Sequence, residues 1–187
     1  ESRGLGDVYK RQVVELRKKV QLPRKNLHLK KRRLPNPTEE NPTLPMIKRP
    51  ENVKNHPGQI ALPGGAKEKE ESLEETALRE AQEEIGIDTD KVEIIGKLTP
   101  IPVPVSGYLV QTYIGIIDEE PNWKLSKDEV ADFFILKLSE LIGAENGYYE
   151  KSNLRGFDAK VPIFKIGDLK IWGATASVLS EFIELTK

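Results

Sequence analysis

Residues 63–87 read PGGAKEKEESLEETALREAQEEIGI, and the reading of the whole chain works outward from this stretch. Pro63, Gly64 and Gly65 predict a tight turn. Ser72 followed three residues later by Glu75 is a capping-box signature, so a helix is expected to start at Ser72. Gly86 is the left-handed C-cap candidate that ends it. Leu73, Ala77, Leu78, Ala81 and Ile85 form the apolar side of that helix, and Glu75, Arg79 and Gln82 its exposed side. With a step of about 100° per residue, Glu83 lies about 60° to one side of Glu80 and Glu84 about 40° to the other. Three carboxylates therefore share one face within little more than a turn. Like charges at this spacing cost a helix a few tenths of a kcal/mol per pair. A solvated acidic face is the ordinary explanation for such a run, but Glu84 falls at the edge of the apolar side, where a merely solubilising carboxylate has no reason to be. A cation held between the carboxylates accounts for both facts. Oxygen ligands of this type suit hard divalent ions such as Mg²⁺. Glu80 and Glu84, stacked at i and i+4, are the leading metal ligands, with Glu83 third, through a second metal or a water.

Composition narrows the alternatives. The chain has 187 residues and a net charge of −1, which suits one domain with a tail and argues against a general binder of nucleic acid or anionic membrane. There is no cysteine and there are only two histidines, His28 and His56, so thiolate chemistry is absent and a histidine-rich zinc site is not expected. No apolar run approaches a membrane span and no secretory h-region is present. The expectation is a cytoplasmic protein, monomeric or homodimeric, with a small-molecule substrate.

Outward from the helix, Gln59–Leu62 reads as a brief extended entry to the turn, Glu51–Gly58 as a loop, and Thr43–Arg49 as a short strand that Pro45 demotes to an edge. Residues 1–42 are set apart as an N-terminal segment. Residues 1–12 resemble translated sequencing-adapter sequence, and residues 13–42 read as poorly structured or as one short helix, with Leu27, Leu29 and Leu34 the only strand candidates. Residues 43–187 are read as the folded domain. After the helix, Val92–Leu98 reads as a strand, Thr99–Gly107 as a rigid proline loop, and Tyr108–Ile117 as one strand rich in β-branched and aromatic residues. Asp118–Asp128 is a polar loop, Val130–Leu138 a strand, Ser139–Ile142 a helical turn and Gly143–Lys160 a polar insertion. Val161–Ile166 and Leu169–Trp172 form a hairpin about Gly167-Asp168. Gly173–Thr186 is a closing helix with Ala176, Leu179, Phe182 and Ile183 inward. Such a mixture suits an α/β fold with a mixed β-sheet between helices.

The glutamate spacing also matches a family pattern: Gly65, Glu71, Arg79, Glu80, an apolar Ala81, Glu83, Glu84, Gly86 and Ile87. This resembles the Nudix box. The resemblance implies an α/β/α sandwich and a divalent-metal-dependent hydrolase, using Mg²⁺ or Mn²⁺, of nucleoside diphosphates linked to another group. It adds a backbone carbonyl at Gly65, beside Gly64, to the metal ligands Glu80, Glu83 and Glu84. Arg79 pairs with Glu71 or Glu75 and orients the carboxylates. The proton acceptor is left among Asp128, Glu129 and a box glutamate, Glu83 or Glu84. Upstream, Arg49, Lys54, Gly58 and Leu62-Pro63-Gly64-Gly65 are spaced like the motif of coenzyme A diphosphatases, with Pro50, Lys54 and Leu62 departing from it. That likeness implies cleavage of coenzyme A to 3′,5′-ADP and 4′-phosphopantetheine. Lys48, Arg49, Lys54 and His56 would supply the charge for the extra phosphate. Two alternatives stand beside it: a Nudix hydrolase of ADP-ribose, NADH or an oxidised nucleotide, and a non-catalytic nucleotide-binding module.

Overall fold

A computed structural model describes residues 42–103, 106–143, 148–154 and 157–186; the expectations for residues 1–41 lie outside them. In chain order the elements are β1 (Thr43–Lys48), β2 (Ile60–Ala61), α1 (Leu73–Ile85), a 3₁₀ turn (Thr89–Lys91), β3 (Glu93–Lys97), β4 (Ile101–Val103), β5 (Tyr108–Val110), β6 (Tyr113–Ile116), β7 (Asp132–Lys137), α2 (Leu138–Gly143), β8 (Tyr148–Leu154), β9 (Phe157–Ile166), β10 (Leu169–Trp172) and α3 (Gly173–Thr186). The pairings give β2-β1-β7, β10-β9-β8, β3-β6 and β4-β5, each antiparallel.

Side-chain alternation along β1 explains the layering. Met46 and Ile47 are both fully buried, yet successive strand residues point to opposite faces. Met46 joins Leu136, Phe164, Ile171, Ala176, Leu179 and Ile183 in one core cluster, which lies against α3. Ile47 joins Ile85 and Val130 in another, which lies under the end of α1. The strands thus have a helix on either side, the layered α/β arrangement expected from the sequence. A third cluster, Ile95, Leu98, Ile114 and Val178, seats the β3-β6 pair on α3. Leu62 packs against both α3-side clusters and so ties the start of the glycine turn to the core.

Four local readings are corrected. Thr99–Gly107 is not all loop: Ile101–Val103 pairs with Tyr108–Val110, and Pro102 is accommodated opposite Leu109 in an isolated two-stranded ladder. Tyr108–Ile117 is two strands, because at Gln111 the side-chain amide donates to the carbonyls of Leu98 and Thr112 and interrupts the ladder. Part of Gly143–Lys160 forms β8 and the start of β9; its polar composition hid the pairing. Leu73 is 45% exposed, and a buried position on α1 outside the expected apolar side is Thr76. Pro45 lies in the half of β1 that only β7 pairs among the described residues, β2 reaching only Ile47 and Lys48.

Candidate active site

The helix carrying the carboxylates is fixed at both ends by local chemistry. The Ser72 hydroxyl accepts the Glu75 N–H while the Glu75 carboxylate accepts the Ser72 N–H, and Gly86 closes the helix in a left-handed conformation at φ 72°. Glu84 is 4% exposed, and the Gly64 N–H donates to its Oε2 at 2.8 Å. At Gly65 there is no room for a side chain: a Cβ there would run into the Glu80 carboxylate. The turn at Gly64-Gly65 is therefore docked on Glu84 and Glu80 together, which brings Gly65, Glu80 and Glu84 to one place.

Arg79 stands at the centre of the network and not on a plainly exposed face. Its Nε and Nη2 donate to the two oxygens of Glu71 at 3.0 Å each. Its Nη1 lies 3.0 Å from Glu80 and 2.8 Å from Glu83, and Nη2 also reaches the Ala66 carbonyl. Of the two partners expected, Glu71 is realised and Glu75 is taken by the helix cap. Glu71 also accepts the Glu68 N–H and the Thr76 hydroxyl. The Arg79 fork, followed by the Glu68 N–H, lowers the Glu71 carboxyl to about 2. Thr76 is a supporting residue that spacing alone did not reveal.

Burial pushes the Glu84 carboxyl up to about 7; the Gly64 N–H and Arg49 pull it down, and the charges of Glu80 and Glu129 add to the rise. Glu80 is raised as well, by burial first, against the pull of Arg79. Among the described residues no three His, Cys, Asp or Glu side chains close around one point as a finished ion cage. Mg²⁺ does not need one, since it is commonly held by one or two carboxylates with the remaining positions left to water and phosphate. The donor set of Glu80, Glu84 and the Gly65 main chain fits such an ion. The crowded, half-dehydrated carboxylates are what a bound cation would relieve. Glu83, half exposed and turned to Arg79, is the weakest of the three.

The turn that carries Glu129 is tied to the end of the helix. The loop before β7 is bolted to the end of α1: Lys124 N–H donates to the Ile85 carbonyl at 3.0 Å and Ser126 N–H to the Glu84 carbonyl at 2.9 Å. Val130 N–H closes back on Ser126 and Ala131 N–H on Lys48, so Asp128 and Glu129 sit in a pinned turn. The charge of Glu129 bears on both Glu80 and Glu84. Of the basic residues, Arg49 also bears on Glu84, and its Nε is a buried donor with no partner among the described residues. Lys48 is drawn to Glu51 at 4.0 Å. Lys54 is exposed, and His56 takes a left-handed φ of 57° in the Glu51–Gly58 loop; neither touches the carboxylates.

Comparison with known proteins places these features in a family. Residues 36–154 match the model of the NUDIX domain. The chain is 38% identical over 143 residues to an uncharacterized Nudix hydrolase, NudL, of Enterobacter sp. (strain 638), covering 76% of this chain and 74% of the relative. It is 34% identical over 144 residues to the protein of that name from Photorhabdus laumondii, covering 76% of each. Among solved structures, a MutT protein from Methanosarcina mazei Go1 aligns with a TM-score of 0.44 at 26% identity, over 54% of this chain and 71% of that one.

Proposed function

Since this chain belongs to the Nudix hydrolase family, we propose that it hydrolyses the pyrophosphate bond of coenzyme A or its derivatives, giving 3′,5′-ADP and 4′-phosphopantetheine. Nudix hydrolases act on pyrophosphate bonds of small nucleotide substrates and generally use divalent metals such as Mg²⁺ or Mn²⁺. The observation that carries the finer reading is Arg49: its charge bears on Glu84, and its buried guanidinium Nε–H has no partner among the described residues. A buried donor of that kind is costly unless an acceptor arrives. A substrate phosphate next to the carboxylates is such an acceptor, and Arg49 opens the loop that carries Lys54 and His56 for a second phosphate.

Glu80 and Glu84 hold the metal, with the Gly65 carbonyl and Glu83 assisting. When bound, the metal supplies neutralisation of phosphate oxygens and acidifies a water. Arg79 keeps Glu80 and Glu83 oriented through its fork on Glu71, a role that lysine could not fill with the same geometry. Glu129 Oε accepts the proton of the attacking water as that water's oxygen bonds to one phosphorus and the bridging P–O bond breaks. Retention of every box carboxylate speaks against a purely nucleotide-sensing module.

The test is a panel of coenzyme A, ADP-ribose, NADH and 8-oxo-dGTP, each with Mg²⁺ or Mn²⁺. The highest kcat/KM is expected for coenzyme A. Preference for another member overturns the substrate assignment, and no turnover of any overturns the enzyme reading for this chain.

A further inference from the structure

Glu84 is a junction. Its carboxylate holds the turn before the helix through Gly64, and its main-chain carbonyl holds the loop after the helix through Ser126. The loop can come this close because of the next residue but one. A Cβ on Gly86 would meet the Lys124 Cβ at 2.6 Å and the Lys124 backbone N and O at 2.8 Å each. Backbone atoms cannot swing aside as a flexible side-chain tip can, so a side chain at this position must push the loop away. The loop has little slack elsewhere. Trp123 is set on Phe133 with ring centroids 5.1 Å apart, and the turn bearing Glu129 is closed by Val130 N–H on Ser126 and Ala131 N–H on Lys48.

We propose that Gly86 is a positioning residue: by carrying no side chain it lets the Lys124–Ser126 backbone lie against the end of α1, and this contact sets where Glu129 stands relative to Glu80 and Glu84. The proposal goes further than a helix cap, because a cap requires only the left-handed conformation, which asparagine also tolerates, whereas positioning requires the missing Cβ. It rests on the reading that Glu129 takes part in the reaction.

Gly86→Asn, Glu129→Gln and the double variant separate the two claims, assayed with Mg²⁺ and the fastest-cleaved member of the panel. Misplacing a reacting group by about 1 Å can cost on the order of 10²-fold. Gly86→Asn is therefore expected to lower kcat by about that factor with KM little changed. In the Glu129→Gln background the same substitution is expected to cost less than about 3-fold, since the group it misplaces is already gone. In the metal-free protein, amide exchange at Lys124 and Ser126 is expected to be slow in the wild type and fast in Gly86→Asn. Undiminished loss in the Glu129→Gln background, or unchanged exchange at both amides, overturns the positioning role. A Glu129→Gln protein with wild-type kcat overturns the role of Glu129 itself, and the proposal with it. If Gly86→Asn does not fold, Ser126→Pro, which deletes the N–H reaching the Glu84 carbonyl from the loop side, is judged by the same kcat criteria and by amide exchange at Lys124 alone.

Discussion

The two sides of the site are built differently. On the turn-and-helix side, from Gly64 to Gly86, the polar groups around Glu71, Arg79, Glu80 and Glu84 hold one another in place. On the loop side, from Lys48 to Gly58, Arg49 has a buried donor without an acceptor among the described residues, Lys54 is exposed, and the Lys48 ammonium lies 4.0 Å from Glu51. A preorganised network is what charge stabilisation during bond cleavage requires. A side left with unmet donors is what a substrate completes. If the preorganised side carries the chemistry and the other side the specificity, as proposed, substitutions on the two sides are expected to change different kinetic constants.

The largest effect falls on the helix side. Glu84→Gln is expected to lower kcat by about 10³-fold or more, measured with saturating Mg²⁺. The same variant tests the cost of keeping that carboxylate. Its folded pKa is raised to about 7 from an ordinary 4.5, so the native state favours its protonated form. The stability this contributes is complete below about pH 4.5 and is lost as pH rises through about 7. Metal-free wild type is accordingly expected to lose up to about 3 kcal/mol relative to Glu84→Gln between pH 4.5 and pH 8. Mg²⁺ is expected to restore much of it in the wild type only. Equal pH profiles in chelator would show that Glu84 carries no such burden. Gly65→Ala comes next, at about 10² in kcat, because the new methyl group displaces the Glu80 carboxylate. Crossing to the loop side, Arg49→Gln is expected to raise KM about 10-fold or more while kcat changes little, in keeping with loss of a charged hydrogen bond to phosphate. A kcat effect without a KM effect would place Arg49 with the helix network instead. Smallest is Lys54→Ala, expected to raise KM for coenzyme A by about 2- to 5-fold, as befits an exposed charge. Dephospho-coenzyme A should be unaffected, and an equal effect on both would remove Lys54 from the 3′-phosphate.

What the sequence disclosed follows the same division. The capping box at Ser72, the stop at Gly86 and the carboxylate face of α1 were legible because each depends on residues within a turn or two of one another. The Gly167-Asp168 hairpin and the inward residues of α3 were legible for the same reason. The break at Gln111 was not, since it arises from a side chain reaching the Leu98 carbonyl just past the end of β3. Nor was the β8-β9 pairing, whose polar alternation resembles a loop until the partner strand is known. Within the site, Arg79 on Glu71 could be anticipated. The seating of Lys124 on Gly86 and the buried isolation of the Arg49 Nε could not, because they depend on packing between segments distant in sequence and on solvent exclusion. The hydroxyl of Thr76 on Glu71, though only five residues apart, escaped because Glu71 precedes the helix and its direction is not set by the helical spacing.

The claim joining these observations is that the Gly64-Gly65 turn and the Glu80–Glu84 pair form a metal-dependent site that cleaves a pyrophosphate delivered by the loop around Arg49. Incubation of the purified chain with coenzyme A and Mg²⁺, followed by separation and mass analysis of the products, tests it most directly. The predicted result is 3′,5′-ADP and 4′-phosphopantetheine in equal amounts, abolished by chelator and reduced by about 10³-fold in Glu84→Gln. Intact coenzyme A, or cleavage that survives both chelator and Glu84→Gln, would contradict it.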